Sequence, residues 1–309
     1  MATKKVPLPA LALRLSVPAG KKRTPDTVEL FPDGESVLAG GWEGVWRVEL
    51  ATGNVVRTYR KYEGSVCWMA RVSRDGDRVV SAFGDCTLHV WNAATGVESW
   101  AAPTHDRIVT RIALSQDGTR ALTVAGNNTL CSWDITARRE RFVLPNKKSI
   151  AIACALAGGG RIAVYGGTDG FVRAVDLDAQ RELWATSGSG WIESMDASAD
   201  GKLVASTGRG KAILLWDVES GSVKRSVPLS GNSTFVTLTP DGRHVLALGK
   251  AAPVVFATDT GKPVATLSLP ERIVAARFSF DGRSMVASDA KGMIHVLDLP
   301  ASETGPVTG

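Results

Sequence analysis

The chain has 309 residues, of which 44% are apolar and 22% are charged, and its net charge is +5. This balance favours a soluble globular protein with a sizeable core, and no apolar run reaches the roughly 20 residues that cross a bilayer. The mild positive charge permits acidic or nucleic-acid partners without requiring them. Four cysteines without a CxxC pair (Cys67, Cys86, Cys131 and Cys154) predict reduced thiols in a cytoplasmic protein, with no disulfide or metal site.

The chain begins with an apolar run, LALRLSV at residues 11–17, that has two interpretations. It could belong to a short secretory signal, although Arg14 and the neighbouring prolines interrupt its apolar character. It could also be a β-strand that lacks a sheet of its own. The repeats that follow favour the strand.

Turn residues recur along the chain at intervals of 40 to 42 residues. They start at Asp33, Asp75, Asp117, Gly159 (within GGG), Asp200, Asp241 and Asp281. A large apolar residue follows each of them by fifteen or sixteen positions: Val48, Trp91, Trp133, Val175, Trp216, Phe256 and Leu297. A period of about 40–45 residues is typical of four-stranded propeller blades.

Each repeat contains four short runs of β-forming residues separated by Gly, Asp and Asn. The second repeat reads VCWMARVS, RVVSAFG, TLHVWNA and VESWAA, with DG and TG as hairpin turns. No segment has a sustained helical period. The sequence therefore predicts an all-β chain.

We predict a seven-bladed β-propeller with four-stranded antiparallel blades, formed by a single domain over residues 1–300. The expected blades cover residues 26–60, 65–102, 108–145, 149–187, 191–228, 233–268 and 273–299. The last repeat supplies only three strands before the expected flexible tail, 301–309, so we predict that residues 11–17 complete the last blade and close the ring.

The phrases LHVWNAATG, LCSWDITAR and ILLWDVESG resemble the WD-repeat β-propeller family, and the resemblance extends over nearly the whole chain. In that family a buried network commonly joins a His, a Ser or Thr, an Asp and the Trp of one repeat. The resemblance implies these network positions: Ser81, Asp85 and Trp91 in the second repeat, His105, Thr123, Asn127 and Trp133 in the third, and Ser206 and Trp216 in the fifth. Repeats 1, 6 and 7 are degenerate.

The remaining polar residues form no recognisable catalytic or metal-binding motif. None of the four histidines lies in HExxH or at zinc spacing from a cysteine, and no GxSxG, phosphate-binding loop or dinucleotide fingerprint occurs. A Ser-His-Asp set could still be assembled by folding, because such triads depend on geometry rather than order. We expect no enzyme activity, cofactor or metal, and an axial channel of mixed charge filled with water and ion pairs.

The loops opposite the DG and TG turns carry about twice as many cations as anions. In the family, this rim commonly binds partners. Exposed aromatic residues beside arginines dominate many interfaces, and they predict a partner-binding rim of Trp42, Arg60, Tyr62, Trp68, Trp191, Arg209 and Arg272. The alternative for each aromatic ring is that it folds back onto its blade.

The sequence thus favours a monomeric, non-catalytic scaffold that binds a protein or peptide, with acidic partners suited to the cations. A nucleic-acid partner is the second hypothesis, although the cations are scattered among anions. A ligand or enzyme site in the channel is the third.

Overall fold

The chain folds into seven four-stranded antiparallel sheets arranged as a ring, numbered here as blades 1 to 7 in chain order. This computed structural model describes residues 8–18, 24–61, 66–125, 129–145, 150–188, 190–250 and 252–300. The predicted tail, 301–309, lies outside these ranges. Within them, no helix has the length and apolar character that a membrane crossing requires. The predicted all-β, seven-bladed architecture is confirmed.

Each blade runs outward from an inner strand beside the ring axis. Blade 1 contains β2 (Thr27–Leu30), β3 (Ser36–Gly41), β4 (Gly44–Glu49) and β5 (Val55–Lys61). Blade 2 contains β6 (Cys67–Val72), β7 (Arg78–Phe83), β8 (Thr87–Asn92) and β9 (Glu98–Pro103). Blade 3 contains β10 (Val109–Leu114), β11 (Arg120–Ala125), β12 (Thr129–Asp134) and β13 (Arg139–Pro145). Blade 4 contains β14 (Ala151–Ala157), β15 (Ile162–Gly167), β16 (Phe171–Asp176) and β17 (Arg181–Ser187). Blade 5 contains β18 (Ile192–Ala197), β19 (Leu203–Gly208), β20 (Ala212–Asp217) and β21 (Val223–Pro228). Blade 6 contains β22 (Ser233–Leu238), β23 (His244–Gly249), β24 (Val254–Ala257) and β25 (Pro263–Thr266). Blade 7 contains β26 (Ile273–Phe278), β27 (Ser284–Asp289), β28 (Met293–Asp298) and the N-terminal strand β1 (Ala12–Pro18).

The turn between the first two strands follows one local design in most blades. In the six Asp-Gly turns the glycine has φ between 65° and 78°, which a residue with a side chain rarely adopts. The aspartate accepts a hydrogen bond from the backbone N–H two residues later, as Asp75 does from Asp77 at 3.0 Å. In five turns a Ser or Thr two residues earlier also donates to it, at 2.5–2.6 Å. Blade 4 uses Gly158–Gly160 instead.

The core is divided into seven apolar clusters, and each one lies between two neighbouring blades. The cluster between blades 7 and 1, for example, contains Val296 and Val28 as well as Val17 from β1. A blade therefore buries both faces only when both of its neighbours are present. This dependence makes the closure of the ring a condition for the whole core.

The N-terminal segment closes the ring across two blades. β1 pairs with β28 in antiparallel register, so the prediction for residues 11–17 is confirmed within one residue. The segment also reaches blade 6, where Leu11 donates to the carbonyl of Thr266 and Thr266 donates to the carbonyl of Pro9, both at 2.9 Å. Leu11 is buried in the cluster between blades 6 and 7.

In several blades, a side chain of the outer strand donates a hydrogen bond to a backbone carbonyl of the next blade. Tyr59 of blade 1 donates to the carbonyl of Ala93 in blade 2 at 2.8 Å, and Trp184 of blade 4 donates to that of Val218 in blade 5 at 2.9 Å. Both acceptors lie two residues after the third-strand tryptophan, against which the donor ring packs. These links combine apolar contact with a hydrogen bond between adjacent sheets.

Leu11→Ala should lower the free energy of unfolding by about 2–5 kcal/mol, because the substitution leaves a cavity between blades 6 and 7. Urea denaturation of the full chain measures this change. Leu13→Ala is the matched control, since Leu13 lies two residues away but is 53% exposed, and it should change stability by no more than about 0.5 kcal/mol. Equal losses in the two variants would contradict this account of closure.

Candidate functional site

Antiparallel pairing brings the starts of the first strands and the second-to-third strand turns to one rim, called here the top rim. Six of the seven predicted partner-binding residues lie on or near it: Trp42, Arg60, Trp68, Trp191, Arg209 and Arg272. Tyr62 lies outside the described residues. The Asp-Gly turns form the opposite, lower rim.

Trp68 is exposed because of an irregularity in its strand. The pairing of β6 with β7 skips from Cys67 to Met69, so Trp68 occupies a bulge and its side chain is 46% exposed. A bulge re-aims a side chain away from the regular face of the sheet. The inner strands of blades 3 to 7 have the same irregularity, which places Thr110, Ile152, Glu193, Thr234 and Val274 at equivalent positions.

Trp191 and Arg209 form a stacked pair on blade 5. The guanidinium carbon of Arg209 lies 3.7 Å from the centre of the Trp191 ring, and its Nε donates to Glu193 Oε1 at 3.1 Å. Trp191 nevertheless remains 39% exposed. The ion pair and the stacking hold both side chains in a fixed arrangement on this part of the rim.

A groove of about 1020 Å³ continues from this pair across the top of blades 5 to 7. Its apolar lining comes from Leu248, Pro253, Leu267, Leu269, Pro270 and Ile273. Lys250, Arg209 and Arg272 also line it, together with Glu193 and Glu271. Each of the two glutamates has a cationic partner, Arg209 and Lys291 respectively, whereas Lys250 and Arg272 form no ion pair with the described residues. The lining therefore has three cations against two carboxylates, and Lys250 and Arg272 are the two cations without an ion-pair partner among the described residues.

Arg60 is directed towards blade 2 rather than towards solvent. It donates to Asp85 Oδ2 at 2.9 Å, contacts His89 Nε2 at 2.6 Å and lies 4.5 Å over the Phe83 ring. These contacts give Arg60 a structural role that sequence reasoning missed. Trp42 occupies the turn between β3 and β4 and is 48% exposed.

Six of the predicted network positions lie in the blade interiors: Ser81, Trp91, Thr123, Trp133, Ser206 and Trp216. Asp85 is instead exposed and pairs with Arg60 on the top rim. The indole N–H groups of Trp91 and Trp216 donate to Ser81 and Ser206 at 2.8 Å. In blade 3, Trp133 donates to Thr123 at 2.9 Å, and His105 Nε2 lies 3.0 Å from the same hydroxyl. Asn127 lies outside the described residues.

A Ser-His-Asp series does occur, at the closing strand. Ser16 Oγ lies 2.7 Å from His295 Nδ1, and His295 Nε2 lies 2.8 Å from Asp289 Oδ2. Ser16 and His295 are directly opposite each other in the β1–β28 register, so the series ties the N-terminal strand to blade 7. The described residues contain no group of three or more His, Cys, Asp or Glu side chains arranged to hold a metal ion.

Two structural features, the hydrogen-bonded Asp-Gly turns and the equivalent histidines of blades 2 and 7, could have been found from the sequence. The Ser or Thr two residues before Asp-Gly recurs in five turns, and His89 and His295 occupy the same position in their repeats. The groove had no such signal, because its lining comes from five separate stretches of sequence between residues 193 and 273.

Thr123→Val should lower the free energy of unfolding by about 1–3 kcal/mol, because it removes the hydroxyl that serves the buried Trp133 and His105 nitrogens. Ser132→Ala in the same blade is the control. The Ser132 hydroxyl is buried without a hydrogen-bond partner, so its removal should cost nothing or stabilise the protein. Denaturation curves that rank the two variants in the reverse order would contradict this account.

Burial lowers the pKa of His105 to about 4, although nearby Asp106 acts in the opposite direction. The folded state therefore favours the neutral ring. Its stabilising contribution is complete above the ordinary pKa of about 6.5 and is lost as the pH falls from there towards 4. An NMR titration of the imidazole should find its midpoint well below 6, and a midpoint near 6.5 would exclude this burial effect.

Comparison with known proteins is consistent with this architecture. The model of the WD domain, G-beta repeat, matches residues 53–92 and 180–217. No curated protein matches the chain significantly. A solved structure titled "Crystal Structure of Mitotic Checkpoint Complex" contains a chain with 13% sequence identity and a TM-score of 0.82, and the match covers 97% of this chain and 95% of that one. The two matched repeats and the seven-bladed ring make the chain similar to WD-repeat β-propellers.

Proposed function

We propose that this propeller is a non-catalytic scaffold that binds an acidic, partly apolar peptide segment of a partner protein. The binding site in this proposal is the groove on the top rim of blades 5 to 7, with Trp191 at its edge. The observation that carries the proposal is the combination of an apolar lining with two cations that form no ion pair with the described residues, in a groove of about 1020 Å³. Such a surface suits a ligand that carries both apolar and acidic side chains.

The groove is large enough to hold a short peptide segment. Its volume of about 1020 Å³ is at the upper end of ordinary ligand pockets, which span roughly 300–1,000 Å³. Its apolar residues come from several loops and leave an extended, open surface. A segment of a few residues could place apolar side chains on Pro270 and Ile273, which are not fully buried, while its carboxylates approach Lys250 and Arg272.

The family supports the same class of function. WD40 propellers commonly mediate protein–protein interactions, and the similar solved chain comes from a structure of a complex. We further propose that the protein acts as a cytoplasmic monomer, a setting that suits its four free cysteines.

Selection of random peptides on the full chain, followed by affinity measurement, tests the proposal. The selected peptides should combine Asp or Glu with apolar residues. Arg272→Glu should weaken their binding by about tenfold or more, because a partner carboxylate would then meet a negative charge. Trp191→Ala should weaken binding through lost ring contact.

Arg243→Glu provides the matched control, because Arg243 lies on the lower rim with a side chain that is 61% exposed. The same charge reversal there should leave peptide affinity unchanged. Equal effects of the two reversals, or selected peptides without acidic residues, would overturn the groove proposal. Tighter binding of single-stranded RNA or DNA, with a steep decline in salt, would instead favour the nucleic-acid hypothesis.

A further inference from the structure

A second cavity lies on the ring axis, at the lower rim. It measures about 90 Å³, whereas one water molecule needs roughly 10–15 Å³ on this scale. The charged and hydroxyl side chains of the inner strands that line it are Glu29, Arg71, Asp196, Thr237 and Arg277. This cavity, called here the axial cavity, has room for a small polyatomic ion.

Positive groups outnumber negative ones around the axis. Arg71 and Arg277 line the axial cavity together with two carboxylates. Arg111 adds a third guanidinium and crosses the channel from blade 3 to the carbonyl of Glu193 in blade 5, at 3.3 Å. Burial, and then nearby Arg71, lowers the pKa of Arg277 to about 10. The arginines are thus close enough to disfavour one another's charge.

The two carboxylates are occupied by contacts between blades. Glu29 accepts from the Val72 N–H at 2.8 Å. Asp196 Oδ2 accepts from the Thr237 hydroxyl at 2.9 Å and from the Leu238 N–H at 3.0 Å. These donors belong to the inner strand of the next blade, whose edge would otherwise leave its amides unpaired. The two carboxylates therefore use part of their hydrogen-bonding capacity on the next blade, and less of it is left for the arginines.

The guanidinium groups have correspondingly few partners. Arg71 donates to Glu29 at 3.2 Å, but its Nε is buried without a hydrogen-bond partner. Arg277 approaches Asp196 only to 3.6 Å. Each guanidinium has five N–H donors in a planar fork that matches the oxygens of carboxylates and phosphates.

We propose that the axial cavity binds a small oxyanion of the size of phosphate between Arg71 and Arg277. The anion would accept hydrogen bonds from both guanidinium groups and offset their mutual repulsion. The site is on the rim opposite the peptide groove, and the proposal does not depend on the function proposed for that groove.

Isothermal titration of the full chain with inorganic phosphate tests the site, with sodium chloride at matched ionic strength as the reference. Phosphate should bind at one site per chain and raise the unfolding temperature, and chloride should not. O-phosphoserine forms a second arm, because tighter binding of this compound would identify a side-chain phosphate as the source. Failure of both compounds to bind would overturn the proposal.

Two substitutions in the cavity should change phosphate affinity in opposite directions. Arg277→Gln should weaken it about tenfold or more, the effect of one lost charge-assisted hydrogen bond. Asp196→Asn should strengthen it, because the amide oxygen can still accept from Thr237 and Leu238 while the competing negative charge is removed. The second variant keeps the test valid if the first one fails to fold.

Arg243→Gln is the control for unspecific attraction to surface cations, because Arg243 lies on the lower rim outside the axial cavity with a side chain that is 61% exposed. It removes one positive charge and should leave phosphate affinity unchanged. Equal weakening by Arg243→Gln and Arg277→Gln would show that phosphate responds only to net charge and would overturn the axial site.

Discussion

The pairing of β1 with β28 joins residues that are almost 280 positions apart in the chain. Every apolar cluster is shared by two blades, so an open ring would expose the cluster between blades 7 and 1 to water. The matched repeats show how the closure arises: residues 53–92 include the outer strand of blade 1 with three strands of blade 2. The sequence repeat is therefore offset by one strand from the structural blade, and the last blade needs a strand from the N-terminal segment.

Contacts between neighbouring blades stabilise the ring both near its outer edge and near its axis. Near the outside, Arg225 donates to the carbonyl of Thr258 at 3.1 Å, in the same relation that Tyr59 and Trp184 have to their neighbours. Near the axis, carboxylates and hydroxyls accept from inner-strand amides of the next blade. These contacts satisfy polar groups that a single sheet would leave unpaired. The frame is thereby stabilised without the top-rim loops, which are available for binding.

The two proposed sites differ because their cations have different surroundings. Lys250 and Arg272 lie in an open groove beside apolar side chains, where a flexible segment with carboxylates fits. Arg71 and Arg277 lie in a narrow cavity, where burial strengthens electrostatic interactions and limits the size of the ligand. The peptide and the small anion that we propose as ligands would thus bind at separate rims.

The sequence by itself determined the repeat number, the strand order within each repeat, the Asp-Gly turns and the N-terminal closing strand, because these follow from a period and turn chemistry contained within about 40 residues. It also indicated the exposure of Trp42, Trp68 and Trp191. Only the tertiary structure decided that Arg60 forms its contacts with blade 2, that His295 lies between Ser16 and Asp289, and that loops from three blades form one groove. Those contacts connect residues from different blades or from opposite ends of the chain, and their geometry exists only once the ring has closed.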